Sequence, residues 1–323
     1  MHHFVKTLTA AALLALAGHG TALADYPDKA VRLIVGFPPG TTGDVLARTL
    51  APEVSNRLGQ PLVVENRPGA GSNIAAEAVA RSEPDGYTVL LSTTANVINR
   101  NLHPNLSFDF AKDLQPVALL AEAPALLVAP PSLPAQDLKS LIAHAKSHPG
   151  KLSFGSSGNG TFTHLYGELL NQTAGIQLEH VPYKGSSQAI TDALGNRLEL
   201  LFTPASTVIA QVKDNNLKAL GVIGRQPIAS LPGVLTFRAA GLEGFDSALW
   251  FGLNVPAGTP DAAVQKLAAA FEAALAQADV RDKLAAITID TSMAAGTDTF
   301  RQLIQDEDKK WAGVVKASGI KAE

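Results

Sequence analysis

Two stretches of this 323-residue chain have a composition suited to binding chemistry, Phe37-Pro38-Pro39-Gly40-Thr41-Thr42-Gly43-Asp44 and Ser156-Ser157-Gly158-Asn159-Gly160-Thr161. Glycine lets backbone N–H groups come close to a bound group. Each stretch also runs into a helical-period segment, whose N-terminus favours negative charge. Hydroxyls of Thr41, Thr42, Ser156, Ser157 and Thr161 add neutral donors. Facing one another, the stretches would clamp an anion without any Lys or Arg. Taken singly, either reads equally well as a strand-to-helix turn with Ser, Thr or Asp as N-cap. Asp44 reads first as a helix cap and second as an acceptor for a ligand amine or hydroxyl. His164, one turn beyond the second stretch, reads as a capping or packing residue before a ligand contact.

Other chemistries fail on spacing. No Lys follows Gly40, as a phosphate loop would need. Ile74 stands where a dinucleotide fingerprint starting at Gly69-Ala70-Gly71 would have its third glycine. Asn159 replaces the closing glycine of a nucleophile elbow. His164 beside Thr161 or Ser157 is the one pair a hydrolase could use. His103, His144, His148 and His180 read as isolated surface or strand residues. The chain has no Cys, which removes thiol catalysis and Cys-ligated metal. Neither a cofactor nor a metal is expected.

The elements that must position the two stretches follow from hydrophobic period. Val31–Val35, Pro61–Glu65, Tyr87–Leu91 and Val117–Leu120 read as strands, with helices over Asp44–Leu58 and Ser72–Arg81. A second series runs through Leu152–Phe154, Leu178–Val181, Leu198–Phe202 and Leu217–Ile223. The segment from Ala125 into a Pro turn and a helix over Gln136–Lys146 matches, in order, the one from Leu249 into a Pro turn and the helix Asp261–Leu275. Both series predict an α/β fold with largely parallel sheets in two lobes of similar plan. Crossing near Ala125 and returning near Trp250 would make a two-strand hinge. Lobe 1 then spans 25–124 and 248–323 and lobe 2 spans 125–247, the last segment being a helical tail. Ligands of open α/β sheets sit beyond the carboxyl ends of the strands, which puts the cleft between the two loops. Phe37 and Trp250 are candidates to line it.

Export is read from the N-terminus. His2, His3 and Lys6 precede an uncharged apolar run from Leu8 to Ala17, and Ala22-Leu23-Ala24 offers a cleavage site before Asp25. Residues 1–24 are therefore expected to be a cleaved signal peptide and the mature chain periplasmic. A net charge of −3 with no basic block leaves a nucleic-acid role without an electrostatic footprint. A hydrophobic content of 46% with 17% charged residues predicts a packed, globular chain rather than a disordered one.

Five stretches together resemble the Bug-type periplasmic receptors of tripartite tricarboxylate transporters. They are Asn66-Arg67-Pro68-Gly69-Ala70-Gly71, Pro84-Asp85-Gly86-Tyr87, Gly155 to Gly160, Val181-Pro182-Tyr183-Lys184-Gly185 and Pro256-Ala257-Gly258-Thr259-Pro260. The resemblance implies a type II periplasmic-binding (Venus flytrap) fold, two α/β lobes joined by two crossing strands and closing on a carboxylated ligand. Its implied partners are a small organic acid and the membrane subunits of a tripartite transporter; the chain is expected to be a monomer and not an enzyme. Carried over by position, Phe37, Gly40, Thr41 and Asp44 fall on the first loop. Ser156, Ser157, Asn159, Gly160 and Thr161 fall on the second, with His164 beside it. Thr94, Asn96, Ala205 and Ser206 are assigned to the distal ligand end. Gly40-Thr41-Thr42, where relatives often carry consecutive glycines, and the stiff Phe37-Pro38-Pro39 leave the ligand open among di- and tricarboxylates, amino acids and aromatic acids. The alternatives carried are a receptor for a membrane signalling protein and, less favoured, a periplasmic hydrolase.

Overall fold

The computed structural model describes residues 26–103 and 105–318, so the expected signal segment lies outside the described residues. The strands form where apolar, largely β-branched and Leu residues run on without polar alternation, as buried sheets with helices on both faces require. β1 (Val31–Val35), β2 (Leu62–Asn66), β3 (Thr88–Thr93), β4 (Leu114–Ala123) and β10 (Leu249–Pro256) make one sheet in the order β2-β1-β3-β10-β4. β5 (Ala125–Ala129), β6 (Leu152–Ser156), β7 (Leu178–Pro182), β8 (Leu200–Pro204) and β9 (Lys218–Ile223) make the other, ordered β7-β6-β8-β5-β9.

The two orders are the same plan. β1 is parallel to β2 and β3, as β6 is to β7 and β8. β10 and β5 are antiparallel to both neighbours, so each sheet is mixed, with one reversed strand, rather than wholly parallel. The reversed strand is in each case the first one reached after the chain leaves the other sheet. The outward crossing takes a single residue, Pro124, whose carbonyl accepts from the Ala205 N–H at 2.9 Å. The return runs through the longer irregular segment 224–248.

Helices cover the sheets. α1 (Thr42–Leu58) follows β1, α2 (Asn73–Ala80) follows β2 after a 3-10 turn at Ala70–Ser72, and α3 (Thr94–Leu102) follows β3. After the short α4 (Phe110–Asp113), α5 (Leu138–Ser147), α6 (Phe162–Ala174), α7 (Ser186–Leu194) and α8 (Ala205–Lys213) serve the second sheet. α9 (Asp261–Leu275), α10 (Ala278–Ala286) and α11 (Thr297–Ser318) complete the chain. The tail helix α11 ties the lobes together. Arg100 of α3 bonds Asp308, and the fully buried Trp311 meets Tyr166 of α6 edge-on with ring centroids 5.6 Å apart. No helix among the described residues is long and apolar enough to cross a membrane.

Candidate functional site

β1 delivers the first loop. Thr41 enters α1 in an extended conformation, and its hydroxyl donates back to the Pro38 carbonyl at 2.8 Å. Gly40, left-handed at φ +79°, turns its N–H onto the Asp44 carboxylate at 2.9 Å. The other carboxylate oxygen of Asp44 accepts from Arg48 Nε and from Asn66 Nδ2, each at 2.9 Å. Asn66 also donates to the Phe37 carbonyl at 3.0 Å. The buried carboxylate is thus taken up by three donors within the loop and its supports. It organises the loop and does not line the cleft.

β6 delivers the second loop on the same frame. Thr161 enters α6 and its hydroxyl donates to the Gly158 carbonyl at 2.7 Å. Gly160, left-handed at φ +69°, turns its N–H onto His164 Nδ1 at 3.2 Å. Gly40, Thr41 and Asp44 therefore correspond in position to Gly160, Thr161 and His164, with an imidazole in place of the carboxylate. His164 stacks on His180, ring centroids 3.8 Å apart and 10° from parallel, and His180 stacks on Phe154 behind it. His180 Nε2 lies 2.7 Å from the Ser156 hydroxyl, which also receives the Gly158 N–H at 3.1 Å. His180 is therefore not the isolated strand residue that its sequence context suggests. Burial lowers the pKa of His164 to about 4; burial and then the neighbouring His164 lower that of His180 to about 3. The pair is neutral near pH 7, as Nδ1 of His164 must be to accept.

Between the loops lies a cleft walled by residues of both lobes. Five helices, α1, α3, α6, α7 and α8, start at residues on or next to its wall. The first backbone N–H groups of a helix lack intrahelical partners, so each start presents partial positive charge. At α1, α7 and α8 no side chain caps those groups. At α3 and α6, Thr93 and Thr161 do so in part. Thr41, Thr42, Thr93, Ser157, Thr161, Thr163 and Ser186 supply hydroxyls to the wall, and Phe37, Ala95, Phe162, Pro204, Leu249 and Phe251 make it apolar. Among the described residues no charged side chain lines it.

The lobes are closed on one another. The Thr42 hydroxyl of the first lies 2.6 Å from the Ser206 hydroxyl of the second. Gly160 packs so tightly on α3 that a β-carbon there would stand 2.1 Å from Asn99 Oδ1. The Asn99 amide is fixed by a 2.9 Å bond to the Gly71 carbonyl, and its Oδ1 is buried without a partner among the described residues.

Of the residues singled out from sequence, Phe37, Thr41, Ser157 and Thr161 line the cleft. Gly40, Asp44, Ser156, Gly160 and His164 set the loops from behind, and Asn159 lies at the seam, its carbonyl facing Gly71. Thr94 accepts the Trp250 N–H, Asn96 closes a capping box on Thr93, Ala205 bonds Pro124 and Ser206 reaches Thr42. Trp250 does not line the cleft. It is buried edge-on to Phe300, and Phe251, the next residue of the strand, faces the cleft instead. The sequence reading also missed Thr93, Ser186 and Phe162. Strand alternation would have separated Trp250 from Phe251, and Gly185-Ser186 carried the signal of a third strand-to-helix turn.

Comparison with known proteins agrees with this geometry. The sequence profile described as "Tripartite tricarboxylate transporter family receptor" matches residues 46–320. The protein BugT of Bordetella pertussis is 35% identical over 298 residues, covering 92% of this chain and 91% of BugT. The structure of MatC from Rhodopseudomonas palustris with bound malate superposes with a TM-score of 0.85 at 32% identity, covering 90% of this chain and 100% of MatC. A second R. palustris protein, solved with adipate, gives 0.87 at 32% identity, covering 92% and 99%.

Proposed function

The chain belongs to the tripartite tricarboxylate transporter receptor family, and on that premise we propose that it captures one small organic acid between its lobes in the periplasm and presents it to a tripartite-type membrane transporter. The fold is that of the periplasmic binding proteins, and the family consists of solute-binding receptors rather than enzymes. The observation that carries the reading is the uncharged cleft onto which five helix N-termini open. Such a site favours an anion without a counter-charge, because aligned backbone dipoles and unpaired N–H groups do the work of a cation.

In this reading a carboxylate sits between the starts of α1 and α6 and takes backbone N–H donors from the first turns of those helices and hydroxyl donors from Thr42 and Ser157, while the Thr41 and Thr161 hydroxyls, which donate to Pro38 and Gly158, shape the loops. Asp44 and His164 hold those loops in shape. Lobe 1 comprises 25–124 with 248–323 and lobe 2 comprises 125–247, and they close by a hinge at Pro124 and in the 224–248 return. Malate and adipate, bound by the two R. palustris relatives, are the first compounds to test. The test is thermal unfolding of the protein lacking residues 1–24 with small carboxylates and their amides. An acid at 100 times its Kd adds about 2.7 kcal/mol and raises the midpoint by several degrees, and its amide does not. A shift given equally by acid and amide would refute carboxylate capture.

A further inference from the structure

We propose, on the two-lobe receptor reading above, that Asn99 sets how readily the closed protein lets its ligand go, because its side-chain oxygen is buried unpaired each time the lobes shut. The residue sits at the seam between the lobes, outside the cleft wall, and acts whichever acid is held.

Asn99 lies on α3 with no exposed surface, wedged between two left-handed glycines, Gly71 at φ +59° in its own lobe and Gly160 at φ +69° in the other. Its amide end is anchored within lobe 1 by the 2.9 Å bond to the Gly71 carbonyl. Its oxygen end faces across the seam. A β-carbon at Gly160 would stand 2.1 Å from Oδ1 and 3.0 Å from Leu102 Cδ2, so a glycine α-hydrogen, a weak donor, meets the oxygen. No N–H or O–H among the described residues bonds it. Asn96, one turn earlier on the same helix, shows the ordinary arrangement. Its Oδ1 accepts the Thr93 N–H at 2.9 Å and its Nδ2 reaches the Ser72 hydroxyl at 3.4 Å.

The surroundings do not supply the missing donor. The Gly160 N–H is committed to His164 Nδ1 and the Thr161 N–H to the Gly158 carbonyl. On the lobe 1 side the turn is held left-handed through Ala70, Gly71 and Ser72, and the Ser72 hydroxyl fills the space that a side chain at Gly36 would need. Lobe 2 is what covers Oδ1. When the lobes part the oxygen meets water, and when they close it exchanges that water for carbon, the costly case for a buried acceptor. At the other seam closing does the reverse, since the Thr42 and Ser206 hydroxyls meet. One seam favours closure and the other opposes it, and the opposing one hastens release.

Leucine and aspartate both keep the size of asparagine and both lose the Gly71 bond, yet they change the seam in opposite senses. Asn99→Leu removes the acceptor; Asn99→Asp puts a charge in its place. The Gly71 bond lies within lobe 1, so its loss cancels between the open and closed forms. The chain has no Cys, so spin labels on cysteines replacing the exposed Val63 of lobe 1 and Leu194 of lobe 2 report the distance between the lobes. With no ligand present, N99L should raise the ratio of closed to open protein by about fivefold to 100-fold, and N99D should lower it. Malate and adipate then serve as probes in calorimetry and stopped-flow mixing. Whichever binds should be held tighter by the same factor in N99L, through slower dissociation, and more weakly in N99D. Asn99→Ala, which adds no bulk, should move in the same direction as N99L and stands in for it if the leucine variant melts far below wild type. Shifts of the same sign in N99L and N99D would mean that Asn99 only holds the turn, and no shift in either would mean that its oxygen does not oppose closure; both overturn the proposal. The distance measurement needs no acid, so a failure of the receptor reading, with neither probe bound, is told apart from a failure at Asn99.

Discussion

The two loops that face each other across the cleft share a backbone frame and differ in what holds it. In both, a left-handed glycine gives its N–H to the side chain four residues on, and a threonine enters the helix while bonding back three residues. Lobe 1 places a carboxylate at the receiving position and surrounds it with Arg48 and Asn66. Lobe 2 places an imidazole there and backs it with a second imidazole and a phenyl ring. The frame needs only an acceptor, so charge is optional. The difference lies in what each solution is sensitive to: lobe 1 depends on a set of charged and amide donors, lobe 2 on a stack that must stay neutral.

The sharpest way to break the comparison is to add one methyl group to each loop. Gly40 and Gly160 are equivalent and both left-handed, so alanine costs about 1 kcal/mol of backbone strain at either. At Gly40 the new β-carbon meets nothing within 4 Å; at Gly160 it lands on Asn99 of the opposite lobe. Gly160→Ala should therefore wedge the lobes apart. Affinity is expected to fall by more than about 100-fold, while Gly40→Ala stays within about tenfold. Small-angle scattering should show wild type and G40A, but not G160A, contracting on addition of the best-binding acid. Equal losses in the two variants would mean that strain, not closure, sets affinity.

Next in size is the loss of the carboxylate frame. Asp44→Ala removes the acceptor of Gly40, Arg48 and Asn66 at once, at a buried position. Because Arg48 is itself about half exposed, with a side chain 52% accessible, the cost is discounted to about 2–3 kcal/mol. Urea unfolding measures it. A change below about 0.5 kcal/mol would show that the loop keeps its shape without the charged centre.

Much of this architecture was legible before the structure, and what escaped did so for definite reasons. The strands showed because runs such as Val31–Val35 and Leu249–Val255 are apolar and β-rich, and the two loops showed because Gly and Pro punctuate them. The correspondence of Asp44 with His164 stayed hidden because only Gly-Thr is shared between the two stretches; acceptor equivalence is a matter of geometry, not residue type. α3 and α8 were missed because no breaker separates them from their strands: Thr93 and Pro204 end a strand and begin a helix at once. The pairing of His164 with His180 depends on a helix docking beside the edge strand β7. That of Thr42 with Ser206 spans 164 positions and two lobes. No local pattern contains either.

The histidine stack predicts an acid-side asymmetry. His164 and His180 bind protons in the folded chain only near pH 4 and 3, but in the unfolded chain near the ordinary 6.5. The unfolded state therefore takes up more protons as pH falls below 6.5. The pair's contribution is complete above that value and is lost progressively down through the folded values. Allowing for the partial exposure of His180, the loss is about 2–3 kcal/mol by pH 4.5. His180→Phe keeps a ring between Phe154 and His164 and removes one titrating group. Its melting temperature should fall less steeply than that of wild type between pH 6.5 and 4.5. Parallel curves would mean that the neutral stack does not govern the acid limb.

The smallest expected effect concerns a position where the two loops reach towards the cleft differently. Lobe 1 presents Thr42 and lobe 2, at the equivalent place, Phe162. The Thr42 hydroxyl is then free to meet Ser206, whereas the ring faces the cleft. The bond joins the lobes directly, so it is made only on closing, and on opening both hydroxyls return to water. That exchange limits its net worth to about 0.5–1.5 kcal/mol, or roughly threefold to tenfold in affinity. Ser206→Ala deletes it without adding bulk. The dissociation rate of the best-binding acid should rise by that factor with the association rate unchanged, since the latch forms after the ligand has entered. A slower association instead would place Ser206 in the capture step, and the contrast between a lobe that latches and a lobe that lines would be lost.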